Sequence, residues 1–169
     1  MILTALKPIK ALNKAFLKVK PTRIEIDGFK KNLTALLNGI NDAESEEFHK
    51  NLVIDFLKKT YYDPAHFVNT KGRNDLVIHN GDTPQSSVGV IIEAKKPSNK
   101  AEMISTQNLN AKALQELVLY YLRERIIHKN LEIKHLVVTN NKEWFIFDAV
   151  VFDRLFAQNN KLVKQFNDF

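Results

Sequence analysis

Apolar positions recur at intervals of three and four through the first third of the chain. Ile2, Leu3, Leu6, Ile9, Leu12, Phe16 and Leu17 share one helical stripe, interrupted early by Pro8. Ile26, Phe29, Leu33, Leu36 and Leu37 predict a second helix over 24–40, with Asn38-Gly39 as its stop. Ser45, with Glu46 and Glu47 in the first turn, opens a third helix. Its stripe is Phe48, Leu52, Val53, Phe56, Leu57 and Tyr61, and Asp63-Pro64 breaks it.

The period then shortens. Phe67-Val68 is a short extended piece, and 75–79 reads as a strand. Asn80-Gly81-Asp82 opens a turn, and 88–95 returns as a second strand with Val90, Ile91 and Ile92 at its centre. Leu109, Ala113, Leu114, Leu117, Val118, Tyr121 and Leu122 predict a long helix over 105–128. Strands over 133–139 and 143–148 flank an Asn140-Asn141-Lys142 turn, and a short helix near 151–157 follows. This order predicts an α/β sandwich, a mixed central sheet flanked by helices, with an N-terminal helical arm. The arm takes residues 1–42 and the sandwich 43–169.

Charge sharpens the division. The net charge is +6, but residues 1–24 hold Lys7, Lys10, Lys14, Lys18, Lys20 and Arg23 and no acid. Removing these six from the 25 basic residues leaves 19 against 19 acids, so the remainder is formally neutral. Three roles suit the arm: an organellar presequence, a contact to DNA phosphates, or a helix docked on this or a neighbouring domain. With no cysteine, thiol catalysis, disulfides, zinc knuckles and iron–sulfur clusters are excluded. No apolar run reaches the roughly 18 residues of a membrane span, so no membrane partner is expected.

The candidate chemistry is Asp75, Glu93 and Lys95. Alternation along a strand puts Glu93 and Lys95 on one side and Ala94 on the other, with Val90 and Ile92. Charges are rarely placed in a buried strand unless paired or metal-bound. Asp75 begins the preceding strand of the hairpin, and adjacent strands lie about 4.8 Å apart. Two carboxylates with backbone oxygens suit Mg²⁺ or Mn²⁺. Such a metal ionises a water and neutralises a pentavalent phosphate. A lysine beside it, its pKa lowered by the cation, orients or deprotonates that water or stabilises the transition state. The plain alternative is a buried Glu–Lys ion pair with no catalytic use. Lys71, Arg73, Lys96 and Lys100 flank the site and suit phosphate contacts or an ordinary solvated rim. His49, His66, His79, His128 and His135 show no ligand spacing; His79 shares the strand face of Asp75. Trp144 reads as core.

Asn74-Asp75-Leu76-Val77-Ile78 followed by Val90-Ile91-Ile92-Glu93-Ala94-Lys95 resembles the PD-(D/E)XK nuclease motif, with Asn74 in place of Pro. The resemblance covers roughly residues 44–148, in the order helix, hairpin, helix, strand. It implies a restriction-endonuclease-like fold, with Asp75, Glu93 and the Ala94 carbonyl as metal ligands and Lys95 as the catalytic lysine. It implies a further glutamate on the helix before the hairpin, from Glu44, Glu46 or Glu47, with Glu47 favoured. The plain role for each is to complement the helix N-terminus. Glu116-x-x-x-Tyr120 is similar to the Q-x-x-x-Y element of exonuclease-like members, with Glu for Gln, and implies a supporting role around the site.

More narrowly, residues 90–102, 119–125, 138–140 and 143–148 resemble the N-terminal endonuclease region of bacterial type IIG restriction–modification enzymes. That implies a Mg²⁺- or Mn²⁺-dependent endonuclease acting on double-stranded DNA and leaving 5′-phosphate ends. The implied partners are methyltransferase and target-recognition domains of a longer cytoplasmic, bacterial chain, and a second copy for double-strand cleavage. No Asn-Pro-Pro-Tyr-type motif or Gly-rich cofactor loop occurs here. A repair exonuclease or resolvase of the same fold, and a non-catalytic DNA-binding or assembly module, are the alternatives.

Overall fold

The computed structural model describes residues 5–71 and 74–168, apart from the side chains of residues 74 and 75. Five strands form one sheet in the order β1 (Val68–Lys71), β2 (Asn74–His79), β3 (Val88–Ala94), β4 (His135–Thr139) and β5 (Trp144–Asp148). All neighbours are antiparallel except β3 and β4, which are parallel and joined through a helix, α4 (Lys112–Leu122), as parallel pairing requires. The sheet is therefore mixed, with helices against both faces.

Strand alternation sorts the core into two layers. Leu76, Ile78, Ile92 and Val137 pack with Leu36 of α2 (Arg23–Asn38) and Val53, Phe56 and Leu57 of α3 (Glu46–Leu57). Val77, Ile91, Leu136 and Val138 pack with Ala113, Leu114, Leu117, Tyr121 and Leu122 of α4 and with Phe152 of α5 (Ala149–Phe152). Trp144 is half-buried, its ring 6.3 Å from that of Phe56. Among the described residues, no helix is long and apolar enough to cross a membrane.

Caps explain the helix starts. Thr22 and Glu25 form a reciprocal capping box at α2, and Ser45 accepts from the Phe48 N–H at α3. Several elements differ from the sequence expectation. The helix expected from 105 starts only at Lys112. Before it, Asn108 N–H donates to Ser105 Oγ and Asn110 N–H to Asn108 Oδ1, so local side chains take donors that a helix would use. The first stripe, Ile2 to Leu17, is not one helix. Its described residues hold a short α1 (Pro8–Ala11), and a single turn begins at Phe16 (Phe16–Lys18), with Ala15 N–H donating to Asn13 Oδ1 between them. Leu6, Ile9, Leu12, Phe16 and Leu17 are all exposed. A last helix, α6 (Asn160–Asn167), was not expected; Asn159 caps it, and Leu162 and Phe166 pack on the α4 layer.

Candidate functional site

The carboxyl ends of β3 and β4 lie side by side, with Ala94 opposite Thr139 and Lys95 N–H donating to Thr139 O at 2.8 Å. Glu93 and Lys95 project from this end on the α4 side of the sheet, in phase with Ile91. Both are buried, and Lys95 Nζ lies 2.6 Å from Glu93 Oε1. The first turns of α4 bring Glu116 Oε2 to 2.7 Å from the same nitrogen. Glu46, at the start of α3, adds an oxygen at 3.7 Å, and Glu102, in the β3–α4 loop, another at 3.8 Å. Lys112 lies 2.9 Å from Glu102 and 3.9 Å from Glu116. Among the described residues, four carboxylates thus meet two ammonium groups.

Burial alone would push the Lys95 ammonium down. Hydrogen bonds to Glu116 and Glu93, with the charges of Glu93 and Glu46, outweigh it and hold the group above the ordinary lysine range. The lowered lysine expected beside a metal is thus not the state seen here, where carboxylates alone surround the cation. Glu102 is held below the usual glutamate range, chiefly by its hydrogen bond from Lys112.

The family model for the domain of unknown function DUF7149 matches residues 6–169. The chain belongs to this family. The matched range runs across both the arm and the sandwich. No curated protein and no solved structure matches the chain.

Of the expected site residues in this DUF7149 chain, Glu93, Lys95 and Glu116 are brought together. Leu76 pairs with Ile92, so Asp75 and Glu93 stand one residue further along the same antiparallel register. The side chain of Asp75, and all of Arg73, lie outside the described residues. Glu47 is a correction: it points to solvent and pairs with Lys50 at 2.7 Å, while Glu46 turns to the site and accepts from Lys96 N–H at 3.2 Å. One residue on a helix is a rotation of about 100°, which separates the two. Tyr120 lies one turn beyond Glu116, with the Arg123 guanidinium 6.0 Å from its ring centre. Lys71 pairs with the buried Glu124 at 3.0 Å; Lys96 is half-buried and Lys100 exposed. His79 is structural: its Nδ1–H donates to Ser86 O at 2.6 Å and holds the β2–β3 loop.

Sequence reasoning missed Glu102 and Lys112. The four-residue spacing of Lys112 and Glu116, which puts both on one helix face, was the available signal for the second. It also missed a buried polar pair beside the site. Asn141, with φ of 71°, donates from Nδ2 to the His49 carbonyl at 3.1 Å.

Among the described residues, no group of three or more Asp, Glu or His is arranged to hold a metal ion. The acidic side chains gathered around Lys95 nevertheless offer carboxylate oxygens, the class that hard divalent cations take. Donor chemistry of this class would suit Mg²⁺ or Mn²⁺.

Proposed function

We propose that this chain is a metal-dependent DNA endonuclease domain with a restriction-endonuclease-like fold, acting as the nuclease part of a larger restriction–modification enzyme. One observation carries the reading: a buried Glu-x-Lys pair at the end of β3, with Glu116 from the following helix closing on the same lysine. The order of α3, the β2–β3 hairpin, α4 and the parallel β4 supports it.

In this reading Asp75, Glu93 and the Ala94 carbonyl would hold Mg²⁺ or Mn²⁺. The ion supplies an ionised water and neutralises charge on the scissile phosphate. Lys95, kept protonated by Glu93 and Glu116, acts as a hydrogen-bond donor. It orients the attacking water or stabilises the phosphate oxygens as their charge grows. Glu116 fixes the position of that ammonium, and Glu46 sets the backbone at Lys96. Lys71, Arg73, Lys96 and Lys100 suit phosphate contacts; target recognition belongs to other domains of the parent chain.

The spacing of Glu116 and Tyr120 favours a second reading, a repair exonuclease or resolvase of the same fold. Incubation with closed circular and linear DNA in Mg²⁺ or Mn²⁺ tests both. The endonuclease reading expects nicking of closed circles, lost by a factor of at least about 100 in Lys95→Met and Glu93→Ala variants that keep their circular dichroism. Degradation confined to linear DNA selects the exonuclease. No cleavage of either substrate, together with no calorimetric binding of either metal, overturns both and leaves a non-catalytic module.

A further inference from the structure

The two edges of the sheet are built differently. At one edge, β1 carries a break in register between Asn69 and Lys71 and ends on a lysine. Bulges and charges of this kind keep an edge strand from pairing with another chain. At the other edge, β5 has the sequence Trp-Phe-Ile-Phe-Asp, with no proline, lysine or bulge. Its register with β4 is continuous from His135 opposite Asp148 to Thr139 opposite Trp144. Among the described residues β4 is its one strand neighbour. Ile146, at its centre, is 67% exposed. An exposed, regular, apolar edge strand is a template for another strand.

We propose that the chain forms a two-fold dimer in which β5 pairs antiparallel with β5 of a second copy, extending the sheet across both. The sequence of β5 is self-complementary in that register. Ile146 meets Ile146 on the axis, and Phe145 meets Phe147 on either side, an aromatic cross-strand pair formed twice. The exposed charges agree. Lys142 precedes β5 and Asp148 ends it, so antiparallel pairing sets unlike charges diagonally across the seam at both ends. Parallel pairing would set like charges together. Such an isologous contact closes on itself and stops at two copies.

Sedimentation equilibrium of the full chain at micromolar concentrations tests this whether or not DNA is cut. The expected species has twice the 19.5 kDa of one chain. Ile146→Lys should reduce it to one chain with unchanged circular dichroism, because the side chain is exposed in the single copy. Ile146→Val should keep the dimer. Lys142→Glu, at an exposed turn position, should raise the dissociation constant about tenfold, since both ends exchange an attractive pair for a repulsive one. A single-chain mass at every concentration overturns the proposal and leaves the edge to a strand of a different chain. A dimer that persists in folded Ile146→Lys also overturns it.

Discussion

Lys95 Nζ stands 2.7 Å from Glu116 Oε2, joining the end of β3 to the early turns of α4 through one buried ammonium. The same nitrogen is 2.6 Å from Glu93, two residues before it on the strand. The polar centre of the fold is therefore anchored from both the sheet and a helix that packs on it. Lys95 lies closest to Glu93, which is fully buried.

Removing that cation should be costly. Lys95→Ala takes the ammonium away from a buried carboxylate, and breaking such a pair from one side costs about 3–5 kcal/mol. The double variant Glu93→Leu/Lys95→Met removes both charges and should lose less than Lys95→Ala alone. Urea denaturation of the set measures the difference. Equal loss in the single and double variants would show that packing, not charge, sets the stability here.

Glu46 and Glu47 offer a sharper test of the site. They are adjacent in sequence, yet Glu46 reaches Lys96 N–H at 3.2 Å while Glu47 pairs with Lys50. If metal-dependent cleavage occurs here, Glu46→Gln should lower it by about 10–100-fold, the usual cost of losing a residue that supports metal ligands. Glu47→Gln should leave it unchanged. Cleavage rates at saturating Mn²⁺ separate the two, and a larger loss from Glu47→Gln would put the metal elsewhere.

That pair also marks what the sequence could tell. Strand alternation was enough to put Glu93 and Lys95 on one side of β3, because a period of two leaves no choice. The mixed sheet with helices on it was legible from the order of elements. The choice among Glu44, Glu46 and Glu47 was not: Ser45 as the cap was legible, but which first-turn side chain faces β3 depends on how α3 packs on the sheet. Glu102 was hidden for another reason. It sits in a loop held by Ser105, Asn108 and Asn110, where side chains bond the local backbone, while Leu109, four residues before Ala113, extends the helical stripe of α4 backwards in the sequence. The Asn38-Gly39 stop of α2, by contrast, was legible: the helix ends at Asn38 and Gly39 caps it, with a right-handed φ of −75°.

The two glycines of the α2 region should respond in opposite directions to alanine. A Cβ at Gly28 would meet nothing within 4 Å, so Gly28→Ala removes chain entropy at no steric cost and should gain about 0.5–1 kcal/mol. A Cβ at Gly39 would come within 2.9 Å of Leu52 Cδ2 on α3. Relieving that contact moves a side chain between α2 and α3, and Gly39→Ala should lose about 1–2 kcal/mol. Denaturant midpoints at constant slope measure both. A gain at Gly39 would mean that Leu52 gives way freely.

The acid limb of the stability curve should depend on Asp153. Burial would raise its carboxyl, but hydrogen bonds donated by Gln158, Tyr121 and Arg125 outweigh it and hold the group below its usual value of 3.8. Each donor lies 2.8 Å from the carboxylate. A group depressed by folding contributes stability that is present in full above its unfolded value and is lost as pH falls through its folded value. Part of the parent protein's stability should therefore disappear on acidification below about pH 4. Asp153→Asn should lose about 1–2 kcal/mol near neutrality, the scale of hydrogen bonds to a charged group, and show a shallower acid limb. Thermal unfolding from about pH 3 to about pH 7 measures both curves. Parallel curves for parent and variant would assign the acid loss to other carboxylates, with Glu102, held down mainly by Lys112, the next to replace.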